Sequence, residues 1–132
     1  MKRAEHFLLY LGLGLLMTHE LDAVKHQEWL VLPLTSWLSP EVGYQVFLWF
    51  HVPLFAVIVG LLASAKQGVR DMTATVLCVF FAIHAVLHWL FSDHVHYLFE
   101  TISSNILIFG AAVCGGLYLM LRLNKSAANE RK

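Results

Sequence analysis

The sequence predicts an all-α, integral membrane four-helix bundle, and three observations carry that reading. Hydrophobic residues make up 58% of the chain and charged residues only 14%, against roughly 25% charged in soluble domains. The mean hydropathy is +0.65. Four apolar stretches lie in succession, and a helix needs roughly 20 mostly apolar residues to cross a bilayer.

The spans are expected at about 3–27, 41–65, 72–92 and 99–123, within a single transmembrane domain followed by a polar, frayed tail over 124–132. The first is the weakest. Its clean apolar run, Phe7 to Thr18, is short and is interrupted by His19 and Glu20. Lys2 and Arg3 ahead of it also suit a signal peptide, but no small-x-small cleavage site follows promptly, so an uncleaved helix is expected. The 29–40 connection carries Trp29, Trp37, Pro33 and Pro40; tryptophan favours the headgroup level, which marks this segment as interfacial. Gly12, Gly14, Gly110, Ala111, Ala112, Gly115 and Gly116 read as helix-packing surfaces. Cys78 and Cys114 sit in apolar runs without metal-ribbon spacing and read as small buried hydrophobes.

Lys and Arg placement sets the expected orientation. Lys2, Arg3, Lys66, Arg70, Arg122, Lys125, Arg131 and Lys132 all fall on one side of a four-span chain, and only Lys25 on the other. Both termini are therefore expected in the cytoplasm, in a multi-pass protein of the inner (plasma) membrane. The formal net charge is zero, so no basic field points to nucleic acid. The expected partners are the lipid bilayer, a lipid-like small-molecule substrate and a second copy of the chain.

The ionisable residues are then placed by depth. At about 1.5 Å per residue, His51 lies roughly 15 Å in from Glu41, and His84 roughly 13 Å in from Asp93. His88 is one turn nearer the outside, and His19 falls in the same half. Seven of the eight histidines gather there, His6 being the exception. Ionisable groups inside hydrocarbon are costly and usually face the bundle interior, where they mark function.

Helical spacing puts His19, Asp22 and His26 on one face, His84 and His88 on another, and Glu100, Ser103 and Ser104 on a third. Neutral imidazoles and carboxylates are the ligands of zinc and non-haem iron. The expected metal ligands are His19, His51, His84 and His88, with Glu20 or Asp22 as catalytic base or as an orienting group. Hydrolysis is the first expected reaction and oxidation the second. A b-type haem held axially by His51 and His84 is the alternative cofactor, and a metal or proton transporter or accessory subunit the non-enzymatic one. His51 also has the option of bonding a backbone carbonyl freed by Pro53. His94 and His96 are expected in a solvent-facing loop, Glu28 and Trp29 as an interfacial anchor, and Ser103, Ser104 and Asn105 as interhelical hydrogen-bond formers. His19-Glu20 does not open a HExxH motif, because Ala23 stands where the second histidine belongs.

The run Thr18-His19-Glu20-Leu21-Asp22-Ala23, followed by Glu28-Trp29, resembles the signature of an uncharacterised family of small bacterial four-span membrane proteins with a His-Glu-Leu-Asp-Ala…Glu-Trp motif. It is also loosely similar to membrane families with a His-x-x-Glu-Glu motif, although Asp22-Ala23 stands where two glutamates belong. The resemblance implies that His19, Glu20, Asp22 and Glu28 act together, and it implies no particular activity.

Overall fold

The computed structural model describes residues 3–130, with side chains described as far as residue 125. Four α-helices follow one another: α1 Arg3–Lys25, α2 Pro40–Leu62, α3 Gln67–Leu90 and α4 Ile102–Glu130. All four are long and apolar enough to cross a membrane, and they pack as a bundle. Lys2, Arg131 and Lys132, which the charge argument uses, lie outside the described residues.

Boundaries follow local chemistry. Helix α1 stops at Lys25, two residues short of expectation, because Gln27 turns left-handed (φ 55°, ψ 47°). Helix α2 starts at Pro40, whose missing N–H costs nothing at a first helical position; Ser39 precedes it and accepts a hydrogen bond from the Val42 amide at 3.4 Å. Helix α3 begins at Gln67, earlier than the apolar run suggests, so Arg70 and Asp71 lie in its first turns. Helix α4 begins at Ile102 and runs on to Glu130. The polar tail is therefore helical up to that residue, consistent with its alanines, lysine and glutamate, all good helix formers.

Helix α4 packs along both α1 and α3, while α2 leans on α3 and on a short 3₁₀ turn at Glu28–Leu30. The core is in two parts. Near the chain termini, Leu9, Leu13, Leu16, Leu77, Phe81 and Tyr118 are buried together. Toward the α1–α2 and α3–α4 connections, Ala23, Trp29, Phe47, Ala85, Phe99 and Ile108 form the second part. Arg122 of α4 lies 3.4 Å from Asp71 of α3 and 4.0 Å from the buried Glu5 of α1, tying three helices at the terminal end. Cys78 and Cys114 are buried free thiols.

Close backbone approach explains some of the glycines. A Cβ on Gly115 would lie 2.6 Å from the Cys78 carbonyl oxygen, and one on Gly12 would lie 2.6 Å from the Phe81 ring. Gly14 and Gly116 have nothing within 4 Å and are not required by packing. In Gly115→Ala the rigid α3 backbone must move, so thermal unfolding in detergent should show a loss of about 1–3 kcal/mol. Gly116→Ala should be neutral or stabilising by less than about 1 kcal/mol.

Candidate metal centre

The second core region is polar at its heart. Helix α1 delivers His19, which is completely buried. Helix α3 delivers His84 and His88, one turn apart on its inner face and both buried. The fourth member, Glu28, comes from the connection after α1. The left-handed Gln27 folds the chain back over the helix end, so that Glu28 points inward from the 3₁₀ turn. Trp29 then packs against Tyr44 and Phe47 of α2, close enough to Gly43 that a Cβ there would lie 2.9 Å from the indole. Thr35 donates a hydrogen bond to the Trp29 carbonyl at 2.8 Å. The turn is thus held from the α2 side while its carboxylate faces the histidines.

The four residues each offer a donor atom, and these atoms all lie within 4.8 Å of one another. The three imidazole centroids form a nearly equilateral triangle with sides of 4.9, 4.8 and 4.7 Å. His19 Nε2 is 3.3 Å from Glu28 Oε2, and His88 Nε2 is 3.5 Å from Glu28 Oε1. A tetrahedral ion bound at 2.0–2.1 Å would hold its donors roughly 3.3–3.4 Å apart; the two Glu28 approaches match that spacing, within a set whose atoms lie up to 4.8 Å apart.

Neither approach is aligned as a hydrogen bond. His19 Nε2, His84 Nε2, His88 Nε2 and Glu28 Oε2 are all buried without a hydrogen-bond partner. Each such atom costs about 1–3 kcal/mol when nothing compensates it, and four together approach the whole stability of a small domain. Burial opposes ionisation of Glu28, but the close approach of the His19 and His88 rings outweighs it and holds the carboxyl below the usual carboxylate range. Imidazole plus carboxylate is a donor set that suits zinc or iron.

Surrounding groups orient the donors. The Tyr97 hydroxyl lies 3.2 Å from His88 Nδ1, which turns Nε2 toward the cluster. Burial, with the nearby Glu28 charge, keeps the Tyr97 hydroxyl protonated above its ordinary range. Phe99 is buried against the rings of His19, His26, His88 and Tyr97 and seals the site from the α3–α4 connection. On the remaining side a narrow apolar cleft lies against the cluster, between Leu32, Leu87, Phe91 and Tyr97.

The structure brings His19, His84 and His88 together and places the other expected site residues elsewhere. His51 Nε2 lies 3.0 Å from Glu20 Oε2, and His51 Nδ1 lies 2.6 Å from the Phe47 carbonyl oxygen. That carbonyl is one turn back along α2 and is not the Trp49 carbonyl that Pro53 leaves without its usual donor. Asp22 accepts a 2.6 Å hydrogen bond from Ser104 Oγ, joining α1 to α4 as expected of an interhelical hydroxyl, and lies 3.2 Å from His26 Nδ1. Asn105 instead bonds the Thr101 carbonyl near the start of α4. His94 and His96 lie beside each other in the α3–α4 connection, apart from the cluster.

Glu28 is the donor that depth reasoning misses, because it lies beyond the end of the first span. Its signal in the sequence is the acidic residue next to Trp29 in the run that begins at His19.

Four apolar helices around a buried three-histidine, one-glutamate donor set define a polytopic membrane protein with a candidate metal centre. The chain matches a family of unknown function, DUF6713, over residues 5–125 and belongs to that family. No curated protein and no solved structure matches it.

Two outcomes test this geometry. Tyr97→Phe should weaken metal binding about 10–100-fold, as loss of an orienting partner does, in a competition titration against a chelator of known affinity. Gln27→Gly should leave thermal stability within about 1 kcal/mol of the parent, since glycine adopts positive φ freely. Gln27→Val should cost about 1–3 kcal/mol at the same left-handed position.

Proposed function

We propose that this protein is a membrane-embedded metalloprotein in which His19, His84, His88 and Glu28 coordinate one zinc or iron ion. The observation that carries the reading is the set of four mutually close, buried donor atoms without hydrogen-bond partners. The bias of Lys and Arg in the sequence supports cytoplasmic termini, with the centre toward the outer face of the inner membrane.

The surroundings favour ligand-binding or redox chemistry over hydrolysis. A hydrolytic centre needs a base within reach of the metal's bound water. Glu20 is paired with His51, Asp22 with Ser104 and His26, and Glu28 belongs to the donor set itself. In this reading Glu20 and Asp22 brace helices around the centre and do not act as its base. The apolar walls of the cleft suit a membrane-soluble substrate.

A bridging haem has less support. His84 shares its cluster with two other imidazoles less than 5 Å away between centroids, while His51 is directed to Glu20.

Elemental analysis of detergent-purified protein tests the reading. The parent chain should carry about one zinc or iron per chain, as a single four-donor set predicts. His19→Ala and His84→Ala should lose it. His51→Ala should retain it, because His51 belongs to the separate pair with Glu20. Equal metal content in the His84→Ala and parent proteins would refute the assignment.

A further inference from the structure

The four donors decide how many positions a bound ion has left. Zinc sites come in two kinds: closed ones with four protein donors, and catalytic ones with three protein donors and a water or substrate in the fourth place. The three imidazoles alone would belong to the second kind. The Glu28 carboxylate is the addition. It approaches the set from the connection after α1, with one oxygen 3.3 Å from His19 Nε2 and the other 3.5 Å from His88 Nε2.

Protein atoms enclose the donors. Nε2 of His19, His84 and His88 and Oε2 of Glu28 are sealed from the surface. The neighbouring cleft meets His84, His88 and Glu28 through carbon and not through these atoms. Phe99 covers the rings of His19 and His88 from the α3–α4 connection. The donors also come from three separate segments: α1, the 3₁₀ turn after it, and α3. Helices α1 and α3 each pack along α4 but touch one another at few places. An ion held here joins segments that otherwise meet mainly through α4.

Resting on the metal assignment above, we infer that the centre is coordinatively closed: His19, His84, His88 and Glu28 fill a tetrahedral shell, and the ion takes no ligand from outside. Its effect is then to clamp the end of α1 and the Glu28 turn to α3. A metal clip between residues far apart in the chain removes much of the freedom of the loop that it closes. Of the chemistries left open above, a closed shell is compatible with electron exchange through the ligands and not with binding at the metal. A molecule in the cleft would meet imidazole carbon.

Cobalt(II) is the probe, because a tetrahedral cobalt ion absorbs visible light intensely and its spectrum changes when a ligand is added. The cobalt-loaded parent protein in detergent should keep its spectrum when azide is added. Glu28→Ala leaves the three-imidazole set that suits a catalytic site. Its cobalt spectrum should shift with azide, which shows that azide reaches the ion once a position is free. Amide hydrogen exchange reads the clamp: cobalt should slow exchange over residues 19–32 of the parent about tenfold. An azide shift in the parent, or none in a Glu28→Ala protein that holds cobalt, overturns closure by Glu28 and leaves the metal site standing. Exchange that cobalt leaves unchanged does the same. Should Glu28→Ala hold no cobalt, the parent's azide and exchange measurements decide. A parent that binds neither cobalt, zinc nor iron overturns the metal assignment itself.

Discussion

The constraint on which this structure turns is the placing of one carboxylate against three imidazoles where no backbone or side-chain group satisfies them. Glu28 approaches His19 and His88 without hydrogen-bond alignment, and His84 Nε2 faces the same space unpaired. A low-dielectric interior magnifies attraction between opposite charges and equally magnifies the cost of a lone one. A divalent cation resolves that tension in one step, because it accepts every lone pair at once. The aromatic shell, Phe99 above all, keeps the tension in place by excluding solvent.

Much of the surrounding architecture is a means of delivering Glu28. The left-handed Gln27, the buried Trp29 and the Thr35 hydrogen bond shape a connection that turns that carboxylate inward. Helix α2 has few other attachments within the bundle, and most of its surface is apolar and exposed, with Trp49, Phe50 and Val52 turned outward. Outward apolar side chains suit contact with lipid. Among the described residues, His51 ties it to Glu20 of α1 inside the span, which satisfies two ionisable groups that would otherwise meet hydrocarbon.

The fold was legible because its determinants are local. Apolar length finds the helices, and the boundaries moved where polar residues continue a helix, as with Gln67 to Asp71 in α3 and the polar end of α4, or where a connection cuts one short, as at Gln27 after α1 and before Ile102 of α4. Three of the four candidate donors were legible too. His84 and His88 share a face by helical period, and His19 falls at a compatible depth. Depth alone could not separate His51 from that group, since rotation of α2 about its axis decides whether it meets His84 or Glu20. Glu28 was hidden for another reason. Its position depends on a single residue of positive φ, and glutamine gives no propensity signal for that backbone. The motif spanning His19 to Trp29 pointed to Glu28 without showing how it would fold back.

The donors are widely separated along the chain: His19 and Glu28 belong to its first quarter, while His84 and His88 are synthesised only after two further helices have begun. The ion-binding cage therefore cannot exist until α3 has crossed beside α1, whatever the affinity of the first two donors. Any ion held there would bind only after insertion had brought the third helix into register with the first. A chain stalled after α2 would carry a half-set with nothing to complete it.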